Sequence, residues 1–355
     1  MAEPTDTNRN EQNRDDAQRA KRTALSDRAS WRIVQGVGLR IKRFLDRYSI
    51  IYAILVVGLV LTLTTGNFLT TNNLVNVLRQ ISMVSIISVG VFFTLVAGSL
   101  DISTGAVVAL ISVTFSSLMV FYNMSPILAI ILSIFLGMFI GLINGLLITR
   151  LGIPALIATL AMQYVCIGVV YLSSGGYPIS GIPESVVFLG RGHVFDLYWL
   201  PWPVFIMVVI VLIAHFISQK TRFGRHIYAV GGNPEAAYLS GIKHKRTVVY
   251  AHVICSALAA LAGVIVTARL NSGQVKAGEG WDFEAIIGTI IGGVSIVGGR
   301  GYVFGAMLGT FLVGLLVNGM TLNNVDSNVQ KIVKGVVLLF AIAFDILNVR
   351  RRNKS

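Results

Sequence analysis

The run PILAIILSIFLGMFIGLINGLLIT, Pro126 to Thr149, carries 24 residues without one charge. A helix needs roughly 20 apolar residues to cross a hydrocarbon core, so this stretch reads as a membrane span. Gly137, Gly141 and Gly145 stand four apart within it. Small residues at that spacing share one helical face and let a neighbouring helix approach closely, where lipid supplies no hydrophobic drive for association. Gly305 and Gly309 repeat the spacing late in the chain, and all five are expected to serve helix packing.

Working outward, the whole chain has the same character. Its 355 residues are 54% hydrophobic and only 13% charged, too apolar for an ordinary soluble protein. Apolar runs predict about ten spans, near residues 50–65, 77–98, 103–122, 126–149, 154–174, 201–218, 247–268, 284–297, 302–319 and 329–348. The expected fold class is therefore an all-α polytopic membrane protein of about ten transmembrane helices, interrupted by Gly-rich broken segments. The domain that holds them covers residues 49–348.

A net charge of +13 raises the question of nucleic acid, and the location of the charges answers it. If the N-terminus is cytoplasmic, 23 of the 29 Lys and Arg fall on the N-terminal segment, residues 219–246, the C-terminal tail 349–355 and the short turns on the same side. That asymmetry is the positive-inside pattern, with both termini cytoplasmic and no nucleic acid partner. Residues 1–30 are polar and lack apolar periodicity, which predicts a disordered tail. In residues 31–48 Val34, Val37, Ile41, Phe44 and Tyr48 recur at helical steps among Arg40, Lys42, Arg43 and Arg47. This suits either a basic amphipathic helix on an anionic leaflet or a flank that only fixes topology. Cys166 and Cys255 lie far apart inside apolar runs and read as buried packing residues.

One cytoplasmic stretch stands out, GGNPEAAYLSGIK at Gly231–Lys243. Asn233 is a good N-cap, Pro234 suits the first helical position, Glu235 favours the positive end of the helix dipole, and Gly241 supplies the stop. A short rigid helix is expected there. Its small and apolar residues would lie exposed unless a partner groove covers them.

Inside the membrane, Asp101 of GSLDISTG is expected to be the only acidic residue close to the interior, where ionisable groups are costly and usually functional. Asp101, Ser103 and Thr104 are also helix-capping residue types, so capping and a role in a pathway or gate both stay open. Asn76 and Gln80, with Asn73 and Ser85 nearby, could face an aqueous route or bond between helices. With so little intramembrane charge, a proton-driven carrier is disfavoured. The five histidines form no H-E-x-x-H pair, and GVSIVGGR at Gly293–Arg300 lacks the Lys and the Ser or Thr of a phosphate loop. No cofactor is expected on this chain. Thr94–Leu110 and Thr289–Gly309 each read as apolar helix, Gly-rich break and apolar helix, the pattern of a faint internal repeat.

Three segments resemble one family. TRFGRHIYAVGGNPEAAYLSGI (Thr221–Ile242) looks like the cytoplasmic loop of the ribose-type permeases, the membrane subunits of bacterial ATP-binding cassette (ABC) sugar importers. LVAGSLDISTGAVVAL (Leu95–Leu110) is similar to that family's glycine-aspartate segment, and GTIIGGVSIVGGRGYVFGAMLG (Gly288–Gly309) to its late glycine-rich segment. Ser99, Thr104 and the long N-terminal tail depart from the family pattern. The resemblance implies a multi-pass protein of the bacterial inner membrane, in a complex with a second permease copy or paralogue and a periplasmic sugar-binding protein that docks on loops including 175–200. It also implies an ABC ATPase that binds the ATP and Mg. The ATPase-coupling role would fall on Asn233, Pro234, Glu235, Ala236, Ala237, Leu239, Ser240 and Gly241, and the cargo would be a monosaccharide or polyol. A permease for a nucleoside or branched-chain amino acid is the alternative, with an ion-coupled secondary carrier behind it.

Overall fold

The structure, a computed structural model, describes residues 50–352. The expected disordered tail 1–30 and amphipathic helix 31–48 lie outside the described residues. The chain divides into two units, Met1–Tyr52 and Ala53–Ser355, and the architecture from Ala53 on belongs to the second.

The described chain is mostly helical, with one two-residue strand pair. In order it forms α1 (Ile50–Thr64), α2 (Thr71–Val96), α3 (Thr104–Val120), α4 (Pro126–Arg150), α5 (Ala155–Ser174), β1 (Ile179–Ser180), α6 (Glu184–Arg191) and a 3-10 turn at Val194–Asp196. There follow α7 (Trp202–Lys220), α8 (Arg222–Gly232), α9 (Pro234–Leu239), α10 (His244–Leu270), β2 (Ser272–Gly273), α11 (Trp281–Ile291), α12 (Val303–Leu322) and α13 (Ser327–Arg352). Six of these, α2, α4, α5, α7, α10 and α12, are long and apolar enough to cross a membrane.

That is fewer than the ten expected spans: α1 and α3 are apolar but shorter, and near residue 290 the helix is broken. The span expected at 284–297 is the 11-residue α11, which at 1.5 Å per residue reaches about 16 Å, half of a hydrocarbon core. It ends where Gly292 and Gly293 open a break that runs to Tyr302. Before it, residues 274–280 form irregular backbone packed along α3, where the Gln274 N–H donates to Ser112 Oγ at 3.0 Å. Non-helical backbone at membrane depth is tolerated only when protein satisfies it in this way. At the C-terminal end the expected tail from 349 is still helical to Arg352.

Burial separates the helices into centre and rim. α2, α3 and α10 form the core, and α10 packs on α4, α2 and α3. The α4 glycines face α10: a side chain on Gly137 would meet Ser256, on Gly141 His252 and Val253, and on Gly145 Val249. Gly305 and Gly309 of α12 meet Gly292, at the start of the break, and Gly288 of α11 in the same manner. By contrast α4, α5 and α7 turn Phe135, Leu172 and Phe216 outward. An apolar outer face of this extent belongs in lipid or against another subunit. The segment 175–200 is tied to the end of α10, since β1 pairs with β2 and Arg191 Nε donates to the Arg269 carbonyl at 2.7 Å, while Tyr177, Phe188 and Trp199 stay exposed.

Candidate functional site

α9 is built as its sequence dictates. Asn233 Oδ1 accepts from the Ala236 N–H at 3.0 Å, Pro234 occupies the first turn, and Glu235 lies in that turn. At the other end Gly241 adopts φ +81°, and the N–H groups of Ile242 and Gly241 reach back to the carbonyls of Ala237 and Tyr238 at 3.0 and 2.9 Å. This is a complete Schellman stop, which needs a residue without a Cβ at 241. Six residues of helix are thereby closed at both ends.

The exposed face of α9 differs from the set read in sequence. Ala237 is buried, only 4% exposed, and packs toward its own loop, whereas Leu239 is 85% and Tyr238 65% exposed. Tyr238 was missed because the reading weighted small residues. Pro234, Glu235, Ala236 and Ser240 are also exposed. A bifunctional crosslinker of short reach is therefore expected to join a partner to a cysteine at Leu239 and not to one at Ala237. Equal yields at the two positions, read by gel shift of the purified complex, would contradict this orientation.

Directly before α9, the end of α8 meets both Gly-rich breaks. A side chain on Gly231 would strike the Val96 carbonyl and come within 2.6 Å of Gly299 N. Those two groups bond to each other, the Gly299 N–H donating to Val96 O at 2.9 Å. Gly298 and Gly98 also touch, since a Cβ on Gly298 would lie 2.9 Å from the Gly98 Cα. Tyr228 of α8 adds a bond from its hydroxyl to the Gly301 carbonyl at 2.8 Å. Burial pushes this hydroxyl above its ordinary pKa, so it remains a donor. The two segments that looked like a repeat are thus in contact, and the root of α9 lies between them.

Each break is tied by one carboxylate. Asp345 on α13 accepts from the Ile296 N–H at 3.0 Å and from Ser295 Oγ at 3.1 Å. In the first break Asp101 Oδ1 accepts from the Ser103 N–H at 2.9 Å and Ser103 Oγ at 2.6 Å. Its Oδ2 lies 3.0 Å from His252 Nδ1, and His252 Nε2 lies 2.8 Å from Ser99 Oγ. Asn144 of α4 donates to Ser103 Oγ at 3.0 Å. Hydroxyl, imidazole and carboxylate follow one another as in a nucleophilic triad. Here, however, Asp101 and His252 are fully buried and Ser99 is 6% exposed, so a substrate has no approach. The arrangement is a closed polar knot joining the break to α10 and α4.

Several expectations change with this geometry. Asp101 is not the sole interior acid: Asp282 and Glu284 are buried, and Glu284 pairs with Lys334 of α13. Asp101 bonds to the backbone ahead of α3, but the N-cap itself is Ser103, whose side chain makes no cap bond. Asp101 and Ser103 line no open route, and Ser85 is fully buried without a hydrogen-bond partner. Asn73 exchanges amide bonds with Asn318 of α12, the interhelical alternative. Asn76 and Gln80 remain exposed on α2. His252 was not foreseen, although an imidazole within an apolar span is itself a signal.

Comparison with known proteins shows the family. The family model described as "Branched-chain amino acid transport system / permease component" matches residues 73–342. The ribose import permease protein RbsC of Bacillus subtilis (strain 168) is 38% identical over 289 residues, 81% of this chain and 88% of that protein. RbsC of Escherichia coli (strain K12) is 35% identical over 302 residues, 85% and 94% of the two chains. The L-arabinose transport system permease protein AraH of the same organism is 33% identical over 303 residues, 85% and 91%. No solved structure matches.

Proposed function

The chain belongs to this family of ABC transporter permeases, and from that premise we propose that it is the membrane subunit of an importer for a monosaccharide or polyol. The observation that carries the reading is end-to-end similarity to ribose and arabinose permeases, whose matches cover 88–94% of their own lengths. The family description names branched-chain amino acids, but these relatives are named for sugars, and neither that alternative nor a nucleoside is favoured. An ion-coupled carrier is not favoured either.

In this reading the chain is a transport subunit without enzymatic chemistry of its own, and a partner ATPase binds ATP and Mg. Ten helices lie in the bacterial inner membrane with both termini cytoplasmic. The ATPase receives the α9 tip, chiefly Tyr238, Leu239, Glu235 and Ala236. Asn233, Pro234, Ala237, Ser240 and Gly241 keep that lever rigid, since a flexible tip would dissipate displacement before it reached the membrane. Closure of the ATPase on ATP moves α9, and the Gly231 junction passes the movement to both breaks. A periplasmic sugar-binding protein docks over 175–200, and cargo passes between this chain and a second permease copy or paralogue. Asn76 and Gln80 suit the wall of such a route, because exposed amides bond hydroxyls without adding charge.

Reconstitution tests the reading. Vesicles holding the chain with its cognate ATPase and binding protein are expected to take up sugar only with ATP inside the compartment that faces α9. Uptake by this chain alone, driven by an ion gradient, would overturn it.

A further inference from the structure

A cavity of about 560 Å³ lies between α8 and the first half of α10, beside Gly241, the stop of α9. Its wall includes Phe223, Tyr250 and Ile254, and its rim His226, Lys243 and Arg246. No acidic residue lines it, and Glu235 is the sole acid of residues 219–246 against six Lys and Arg. Neither Lys243 nor Arg246 makes an ion pair among the described residues.

The chemistry changes along the length of the cavity. Lys243 and Arg246 stand at the polar start of α10, within KHKR. Ile254 lies eight residues further along the same helix, about 12 Å deeper at 1.5 Å per residue. That step leads from the interface into the apolar body of a helix long enough to span the bilayer. Tyr250, 57% exposed, sits between the two levels, where amphipathic aromatic rings are favoured. A soluble anion would use the rim and ignore the wall. A folded partner on the aqueous side reaches the rim, whereas Ile254 lies about 12 Å deeper along a helix long enough to span the bilayer. An amphiphile with an anionic head uses both, and basic pockets between helices at a membrane surface suit such headgroups.

We propose that this cavity binds one anionic phospholipid, with His226, Lys243 and Arg246 around its phosphate and Phe223, Tyr250 and Ile254 along the start of an acyl chain. The proposal shares with the proposed function only the membrane placement of α10. Bound there, the lipid would brace the start of α10 beside α9.

The test is native mass spectrometry of the full chain released from vesicles of equimolar phosphatidylglycerol and phosphatidylcholine. The natural chain is expected to retain one phosphatidylglycerol, with at least about tenfold preference over phosphatidylcholine. Lys243→Gln with Arg246→Gln should remove the preference. Lys220→Gln with Arg222→Gln, an equal loss of charge outside the cavity, should keep it, and Lys243→Arg with Arg246→Lys should restore it. Unfolding temperatures of all variants report whether the fold survives. Three results would overturn the site. The first is an undiminished preference in Lys243→Gln with Arg246→Gln. The second is displacement of the lipid by glycerol phosphate at equal concentration, which would assign the rim to a soluble phosphate. The third is loss of ATPase copurification without change in retained lipid, which would assign the rim to the protein partner. Sugar uptake measured in parallel separates failure of this site from failure of the transport reading.

Discussion

Gly231→Ala is expected to lower ATP-driven uptake at least about tenfold, while Gly232→Ala, one residue on, leaves it within about twofold of the natural chain. The two glycines are adjacent in sequence and chemically identical, so propensity cannot distinguish them. Their surroundings do. A methyl at 232 meets nothing within 4 Å, whereas a methyl at 231 drives into the bond between Val96 O and Gly299 N. Backbone on both sides cannot swing aside as a flexible side chain would, so the breaks must separate. Overpacking of this kind costs about 1–3 kcal/mol, and 1.4 kcal/mol is already a factor of ten in an equilibrium. The effect on transport should exceed the effect on stability, because the substitution separates the root of α9 from the breaks it is proposed to move. Uptake in reconstituted vesicles and unfolding temperature in detergent, measured for both variants, make the check. Equal behaviour of Gly231→Ala and Gly232→Ala would mean that the junction carries neither packing nor coupling.

What the sequence disclosed and concealed follows from the range of each interaction. The caps of α9 are local, with partners within five residues of one another, so Asn233 and Gly241 were readable directly. The α4 stripe was readable as a period, since Gly137, Gly141 and Gly145 repeat at four. Its partner was not, because Ser256, His252 and Val249 of α10 are more than 100 residues distant and carry no matching pattern. Hydropathy marked where apolar chain begins but not that α11 stops after 11 residues, for a half-helix and a span have the same composition. The outward face of α9 was misjudged for a related reason. Six residues make under two turns, too few for a period to reveal that Ala237 turns in while Tyr238 and Leu239 turn out. The meeting of Gly98, Gly231 and Gly298 is the clearest case of long range: three glycines in three segments share one point, and nothing local to any of them names the other two.

Asp101→Ala is expected to be among the most damaging single changes in the chain, and Asp101→Asn to be mild. Removing the carboxylate takes away the acceptor of the Ser103 N–H and O–H, although Ser103 Oγ still accepts from Asn144, and leaves one His252 nitrogen without its partner in a site closed to water. Each buried orphan costs about 1–3 kcal/mol, which is a large share of ordinary stability. An Asn amide can still accept from Ser103 through its oxygen and offer a donor toward His252, so the knot holds. His252→Ala should damage the chain as Asp101→Ala does, and Asp101→Ala with His252→Ala should cost less than their sum, because the second change removes a group already orphaned. The same variants separate two mechanisms. The scarcity of interior acids first argued against proton coupling, and a buried Asp–His pair removes that argument. Burial replaces it: a relay needs a chain of accessible partners, and this pair is enclosed by Ser99, Ser103 and Asn144. If the knot is structural, Asp101→Asn retains most ATP-driven uptake and uptake is indifferent to a protonophore. If it relays protons, Asp101→Asn abolishes uptake in a protein that unfolds at the natural temperature, and only this outcome would make the break a proton path.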